Sequence, residues 1–251
     1  MVIALVVAIL AALAAATVAM SRGQTRYDAT TFCPAEGASG HRIVLVDRTD
    51  PLTRAQAEAL KGLLFELRDG LGRFERLSVY RIGETVDTRP VQGFSFCNPG
   101  RGDQATKLYE NPRLIQKTFQ DRFGAPLDRL IEELMAPAEA KYSPIVETLN
   151  ALADAPDFRD AAKARRLYLI SDMLQHTALL DHYRSPPAPE ASLRRLEAAL
   201  AIPALQGASI QVAQLTQPKA KHRQTPELRR FWEEFFNRAQ TKLEGWQRWP
   251  D

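Results

Sequence analysis

The chain has 251 residues, which is enough for one ordinary domain with a substantial buried core and a few appended segments. Hydrophobic residues make up 45% of the sequence and charged residues 25%, a balance that excludes a largely disordered chain. The formal net charge of +3 is small, and basic and acidic residues are interleaved, so the composition gives no indication of nucleic-acid binding.

The first twenty residues differ from the rest of the chain. Residues 2–20 contain no charged side chain, and as a helix they are long enough to cross a hydrocarbon core of about 30 Å. We therefore predict that residues 1–21 form a transmembrane anchor, as in a single-pass protein of a bacterial inner membrane. A cleaved signal peptide is the alternative, but the apolar run exceeds the roughly 7 to 15 residues of a signal-peptide core and lacks a basic start.

Two features give conflicting indications of the side of the membrane on which the remaining chain lies. Arg22 and Arg26 follow the apolar run and favour a cytoplasmic domain. Cys33 and Cys97 favour the opposite side, because a pair of cysteines in an exported protein often forms a disulfide. Two unrelated buried thiols explain these cysteines equally well. The side therefore stays open, with a slight preference for the periplasm.

Residues 22–40 carry Gly, Ser, Thr and Pro and few apolar side chains, and they are predicted to be a tether to a domain that spans residues 41–251. The apolar run 43–46 is typical of a central parallel strand that is covered on both faces. Thr53 and Gln56 then have the spacing of a capping box, and leucines at helical spacing follow. This is a strand, loop and helix unit.

The next elements are two strands, 77–82 and 91–97, whose short connection predicts an antiparallel hairpin. Helices are predicted to begin at Pro112, at Pro126 and after Ser143. The run 167–170 is the second continuously apolar strand.

The last part of the chain is predicted to contain one more strand, 210–215, between two helices. The first of these helices holds Leu193, Leu196 and Leu200, and the second begins at Thr225 and carries an apolar stripe that extends to Leu243. Strands that alternate with helices predict an α/β domain with a doubly wound, mainly parallel sheet, one antiparallel edge strand and helices on both faces.

Both continuously apolar strands are followed by a carboxylate: Asp47 after the first and Asp172 after the second. Ligands of doubly wound sheets bind at the carboxyl ends of the strands, near the point where the strand order reverses. Thr49 adds a hydroxyl beside Asp47, and Ser143 lies at a helix start. Two carboxylates and two hydroxyls are a set of hard oxygens that suits Mg²⁺ or Mn²⁺ with waters to complete the coordination.

The order of these motifs resembles the von Willebrand factor type A domain and its metal-ion-dependent adhesion site. The motifs are D-x-T at 47–49, S-P-I at 143–145 and L-I-S-D at 169–172. In that family the pattern is D-x-S-x-S, a Thr in a later loop, and an Asp after the fourth strand. The resemblance covers roughly residues 41–215 and implies an ion held by Asp47, Thr49, Ser143 and Asp172.

The family's function would make the chain a membrane-anchored interaction module and not an enzyme. An acidic side chain of a protein partner would complete the coordination of the ion. The third position of the first motif is Pro51, which has no hydroxyl, so one direct ligand of the family is missing. We expect Asp50 to point away from the ion, and Arg48 and Asp50 to line the rim of the site.

Two alternatives use the same residues. The stretch 47–49 also resembles the D-K-T start of ion-pumping members of the haloacid dehalogenase superfamily, where Asp47 would be a phosphorylated nucleophile and Asp172 would hold Mg²⁺. Most members have an Asp where Thr49 stands here. The other alternative is a metal-free scaffold whose ion site has decayed, in which the carboxylates cap loops and Ser143 is only a helix N-cap.

Overall fold

A computed structural model of the chain describes residues 3, 6, 9–11, 13, 26–83, 90–105, 110–159, 164–185 and 187–249. Its centre is a six-stranded sheet with the order β3-β2-β1-β4-β5-β6. The strands are β1 His41–Val46, β2 Arg76–Arg81, β3 Val91–Cys97, β4 Arg165–Ser171, β5 Ala208–Leu215 and β6 Lys242–Trp249. Neighbouring strands are parallel except for β2 and β3, which are antiparallel as predicted.

Helices cover both faces of the sheet. They are α1 Arg54–Asp69, α2 Pro112–Phe119, α3 Ala125–Met135, α4 Ile145–Ala153, α5 Pro156–Arg159, α6 Pro189–Ala198 and α7 Pro226–Arg238. Successive side chains of a strand point to opposite faces. In β1, Val44 and Val46 pack with α1, α2 and α3, whereas Ile43 and Leu45 pack with α4 to α7. The mainly parallel, doubly wound α/β architecture is therefore confirmed for the described residues.

The capping box at the start of α1 is confirmed. The Thr53 hydroxyl accepts a hydrogen bond from the Gln56 backbone N–H at 3.2 Å, and the Gln56 Oε1 accepts one from the Thr53 N–H at 3.1 Å. The Gln56 side chain also donates to the carbonyl of Thr216, at 2.8 Å, in the loop after β5. The first turn of α1 is thus tied to the carboxyl edge of the sheet.

Three predictions about the later elements are wrong. Pro126 does not begin a separate helix, because a π-helical turn, Gln120–Gly124, connects α2 to α3 without a break. Leu200 lies beyond the end of α6 and is 89% exposed. Leu243 belongs not to the last helix but to β6, a further parallel strand beside β5.

Residues 26–40, most of the predicted tether, lie against the domain. Cys33 forms a disulfide with Cys97 at the end of β3. The Cys97 backbone N–H donates to the carbonyl of Thr31 at 2.8 Å, and Phe32 and Ala38 are buried. Of the two explanations for the cysteines, the disulfide is therefore confirmed, while the domain boundary at residue 41 stays a prediction.

The predicted anchor, residues 2–20, lies mostly outside the described residues, as does the connection 84–89 between β2 and β3. The described positions of the first segment are helical and exposed. In the described part of the chain, no helix combines the length and apolar content that crossing a membrane requires.

Candidate functional site

The four predicted site residues lie at the carboxyl edge of the sheet. Asp47 directly follows β1 and Asp172 directly follows β4, and these two strands are neighbours on either side of the point where the strand order reverses. Thr49 lies in the loop after β1, and Ser143 lies just before α4. Each of the four is only 4% to 6% exposed.

The Asp47 carboxylate is the centre of a buried hydrogen-bond network. Its Oδ1 accepts bonds from the Thr49 backbone N–H at 3.1 Å and from the Thr49 hydroxyl at 2.7 Å. Its Oδ2 accepts bonds from the hydroxyls of Ser143 at 3.1 Å and Ser171 at 2.7 Å. Asp47 therefore brings together three hydroxyls from three separate parts of the chain.

Ser143 is not the N-cap of α4. That position is held by Pro144, and the Ser143 hydroxyl donates to Asp47 instead. The Ser143 backbone is paired with the loop after β4, because its carbonyl accepts from the His176 N–H at 2.9 Å. The side chain is thus held toward the strand ends, as the resemblance to the adhesion site requires.

Asp172 has a different environment from Asp47. Its Oδ1 accepts a hydrogen bond from the Leu174 backbone N–H at 2.8 Å, and the side chain of Tyr183 lies nearby. Burial, together with the negative charges of Asp47 and Asp50, raises the pKa of Asp172 well above its usual value. The site therefore favours neutralisation of this carboxylate, by a proton or by a cation.

The backbone immediately after Asp172 is strained. Met173 has φ of 67°, in the left-handed region that costs a residue with a side chain roughly 1–2 kcal/mol. Its N–H donates to the Ser171 hydroxyl at 2.9 Å, and its carbonyl accepts from the Trp232 indole at 2.8 Å. These bonds hold the turn that directs Asp172 into the site.

Of the two residues predicted to line the rim of the site, Asp50 lines the cleft and Arg48 does not. Asp50 lines the same cleft as Asp47, Thr49 and Asp172, and burial followed by the charge of Asp47 raises its pKa. The expectation that Asp50 points away is therefore wrong. Arg48 donates from Nη1 to the carbonyl of Glu133 at 2.9 Å and is not a lining residue of the described cleft.

The sequence analysis missed two further residues of the site. Ser171 stands directly before Asp172, so its proximity to the strand end was a signal in the sequence. Tyr183 lies further along the loop after β4, and burial and the carboxylates of Asp172, Asp50 and Asp47 raise its pKa. No local pattern marks Tyr183, because the folding of that loop brings its hydroxyl to the strand ends.

The donor set fits a hard divalent cation by its chemistry. Among the described residues, no three or more His, Cys, Asp or Glu side chains are grouped closely enough to hold an ion, so hydroxyls and waters must supply ligands. A hydroxyl has one donor hydrogen and two acceptor lone pairs. Because Thr49 and Ser143 direct their hydrogens to Asp47, their lone pairs remain available to a cation. Pro51, which lines the cleft, supplies no such group.

Many solved structures are similar to this chain, among them the following three. A von Willebrand factor type A protein from Catenulispora acidiphila is 14% identical, with a TM-score of 0.44, over 86% of this chain and 39% of its own length. The conserved hypothetical protein BatB from Bacteroides thetaiotaomicron is 11% identical, with a TM-score of 0.41, over 83% of this chain and 89% of its own.

The third is an aerotolerance-related membrane protein from Bacteroides fragilis NCTC 9343 with multiple mutations to serines. It is 12% identical, with a TM-score of 0.39, over 84% of this chain and 92% of its own. No protein-family model and no curated protein matches the chain. The D-x-T motif, Ser143 and Asp172 lie together at the reversal point of a doubly wound sheet, which is the arrangement that the resemblance to the von Willebrand factor type A domain implies.

Proposed function

We propose that the domain is a protein-interaction module that binds its partner at the carboxyl edge of the sheet with the help of Mg²⁺ or Mn²⁺. The observation that carries this proposal is the surroundings of Asp172: a buried carboxylate whose pKa is raised by burial and by two further carboxylates. A divalent cation would neutralise this cluster. Asp172 and the hydroxyls of Thr49 and Ser143 would hold the ion, and Asp47 would orient the hydroxyls.

The partner would be a protein that presents an acidic side chain to the ion. The oxygen ligands of this chain leave coordination positions for a carboxylate or for waters, since Mg²⁺ usually binds through only one or two protein carboxylates. The disulfide between Cys33 and Cys97 supports the location of the domain on an oxidising side of the membrane, the periplasm in a bacterium. Residues 2–20 would attach the module to the membrane.

The first test is a thermal melt of the full chain in a nonionic detergent, in EDTA and then with excess Mg²⁺ or Mn²⁺. An ion that binds only the folded state, at a hundred times its dissociation constant, stabilises that state by about 2.7 kcal/mol. In the Asp172→Asn variant, which keeps the shape of the side chain but removes its charge, we expect this stabilisation to disappear. Asp121→Asn, a change of the same type at an exposed aspartate of the π-helical turn, should leave it intact.

The metal-free scaffold is the second candidate. Both oxygens of Asp47 already accept two hydrogen bonds each, and Pro51 replaces a hydroxyl of the family pattern. The absence of any shift at millimolar ion would favour this candidate and contradict the first.

The alternative in which Asp47 is a phosphorylated nucleophile, as in the haloacid dehalogenase superfamily, is poorly supported by the geometry. As a nucleophile, Asp47 would need a carboxylate oxygen free to attack a phosphoryl group. The side chain is 4% exposed, and all four of its hydrogen bonds come from neighbouring protein groups. We therefore do not assign Asp47 a catalytic role.

A further inference from the structure

A second, larger depression lies beside the proposed ion site. It is bounded by the chain before α4, the loop after β4 and the first turns of α6. Its volume is about 730 Å³, toward the upper end of the roughly 300–1,000 Å³ that is usual for ligand sites. The charged side chains that line it, among the described residues, are Lys141, Arg184, Arg195 and Asp181. We call it the basic groove.

The positive charges of the basic groove are only partly neutralised. Arg195 donates from Nη2 to the carbonyl of Ala178 at 3.2 Å, an uncharged partner. The Lys141 ammonium lies over the Tyr142 ring, 5.2 Å from its centre. Arg184 lies 3.4 Å from Asp181, which among the described residues is the one lining carboxylate and which also lies 3.1 Å from His176 Nδ1. Three cations against one shared carboxylate favour an anionic occupant.

The groove and the ion site share a wall. His176 lines the groove, and its backbone is paired with that of Ser143, whose hydroxyl donates to Asp47. The ring of Tyr183 meets the His176 ring edge-on at 5.2 Å between centres, and the Tyr183 side chain also lies near Asp172. The two depressions are therefore adjacent, with the loop after β4 between them.

We propose that the partner binds through an acidic stretch of its chain, in which one carboxylate enters the cleft and the neighbouring acidic residues lie in the basic groove. This inference rests on the proposed function and names the chemistry of its partner. The cleft by itself repels such a stretch, because Asp47, Asp50 and Asp172 lie there. The groove supplies attraction that does not depend on the cation, so the two sites contribute separately measurable parts of the affinity.

The probe is a short fluorescein-labelled peptide of Asp, Glu and Gly, with an Asn, Gln and Gly peptide of equal length for comparison. Fluorescence anisotropy with the full chain in nonionic detergent gives the dissociation constants. We expect Arg195→Gln and Lys141→Gln each to weaken binding about threefold, as for other exposed charge pairs, and added salt to weaken it as well. Arg129→Gln, an exposed change on α3 at the opposite face of the sheet, should have no effect.

The outcomes separate the inference from the proposed function. If the groove variants bind the acidic peptide more weakly both in EDTA and in Mg²⁺, the basic groove is supported as a binding site. If Mg²⁺ at the same time does not increase the affinity, only the ion-assisted function is contradicted. If binding depends on Mg²⁺, is abolished by Asp172→Asn and is unchanged in the groove variants, the inference about the basic groove is wrong and the ion-assisted function is supported. Equal binding of the neutral peptide, or no binding of the acidic peptide at millimolar concentration, also overturns the groove.

Discussion

At the scale of single residues, the two aspartates at the strand ends have different roles. Asp47 accepts four hydrogen bonds, so Asp47→Ala would leave buried hydroxyls and an N–H without their acceptor, each at a cost of about 1–3 kcal/mol. Because Asp47→Ala would disturb folding as well as the site, Asp172→Asn is the cleaner test of the ion.

A buried histidine near the site predicts a pH dependence of stability. His182 is 1% exposed, its Nδ1 accepts from the Gln175 N–H at 3.2 Å, and its ring contacts Phe231. Burial lowers the pKa of His182 to about 4. The unfolded chain, with a His pKa of about 6.5, binds more protons between these values, so the free energy of unfolding falls as pH decreases from about 6.5 to about 4.

The loss over that window should be on the order of 3 kcal/mol at most. Urea denaturation across this pH range measures it, and we expect His182→Gln to flatten the curve. The other histidines are present in both proteins and cancel in the comparison. An equal slope in the two proteins would show that His182 is not the group responsible.

At the scale of elements, two helices end in the same way. After α6, the Ala201 N–H donates to the Leu196 carbonyl at 2.8 Å and the Leu200 N–H to the Glu197 carbonyl at 2.9 Å. After α7, Thr241 and Gln240 form the equivalent bonds with Phe236 and Asn237. This is the Schellman motif, whose left-handed position is usually glycine. Here Leu200 and Gln240 occupy it, with φ of 53° and 56°.

Glycine at the end of α6 should stabilise the protein. Leu200→Gly removes the strain of a left-handed side chain, and because Leu200 is 89% exposed, little packing is lost. We expect a gain of up to about 1 kcal/mol in the free energy of unfolding by urea. Leu114→Gly, the same change at an exposed leucine within α2, should cost about 1 kcal/mol. Equal losses in both variants would contradict the role of the left-handed position.

At the scale of the whole molecule, a disulfide bond ties the N-terminal segment, residues 26–40, to the sheet. Cys33 and Cys97 are 64 residues apart in sequence, and their disulfide closes a loop that contains β1, α1 and β2. Linking residues so far apart restricts the unfolded chain strongly. The link also keeps residues 26–40 against the domain, although their composition resembles that of a flexible tether.

Removal of the disulfide should lower stability by about 4 kcal/mol in the chain-entropy model. The variant with both Cys33→Ser and Cys97→Ser leaves no lone thiol, and reduction of the unaltered protein serves as an independent control. Urea denaturation should give the same loss for both, and electrophoresis with and without reductant should separate the two states of the unaltered protein. Free thiols in protein taken directly from oxidising conditions would contradict this prediction.

The sequence by itself determined the features that depend on neighbouring residues. The apolar run of β1, the capping box at Thr53 and the turn to α1 follow from local spacing, and so do the carboxylates at the carboxyl ends of β1 and β4. Because parallel strands end at one edge of a sheet, these local assignments were sufficient to predict that Asp47 and Asp172 lie near each other.

Only the tertiary structure decided what depends on contacts between distant parts of the chain. The β6 segment is an exposed edge strand with a glycine and several charged residues, so it lacks the apolar alternation that predicts a strand. Its strand conformation depends on pairing with β5. The Cys33 disulfide, the direction of Asp50 and the approach of Tyr183 to Asp172 have the same origin. Sequence spacing does not determine these contacts, because they form between segments that only the packing of the chain brings together.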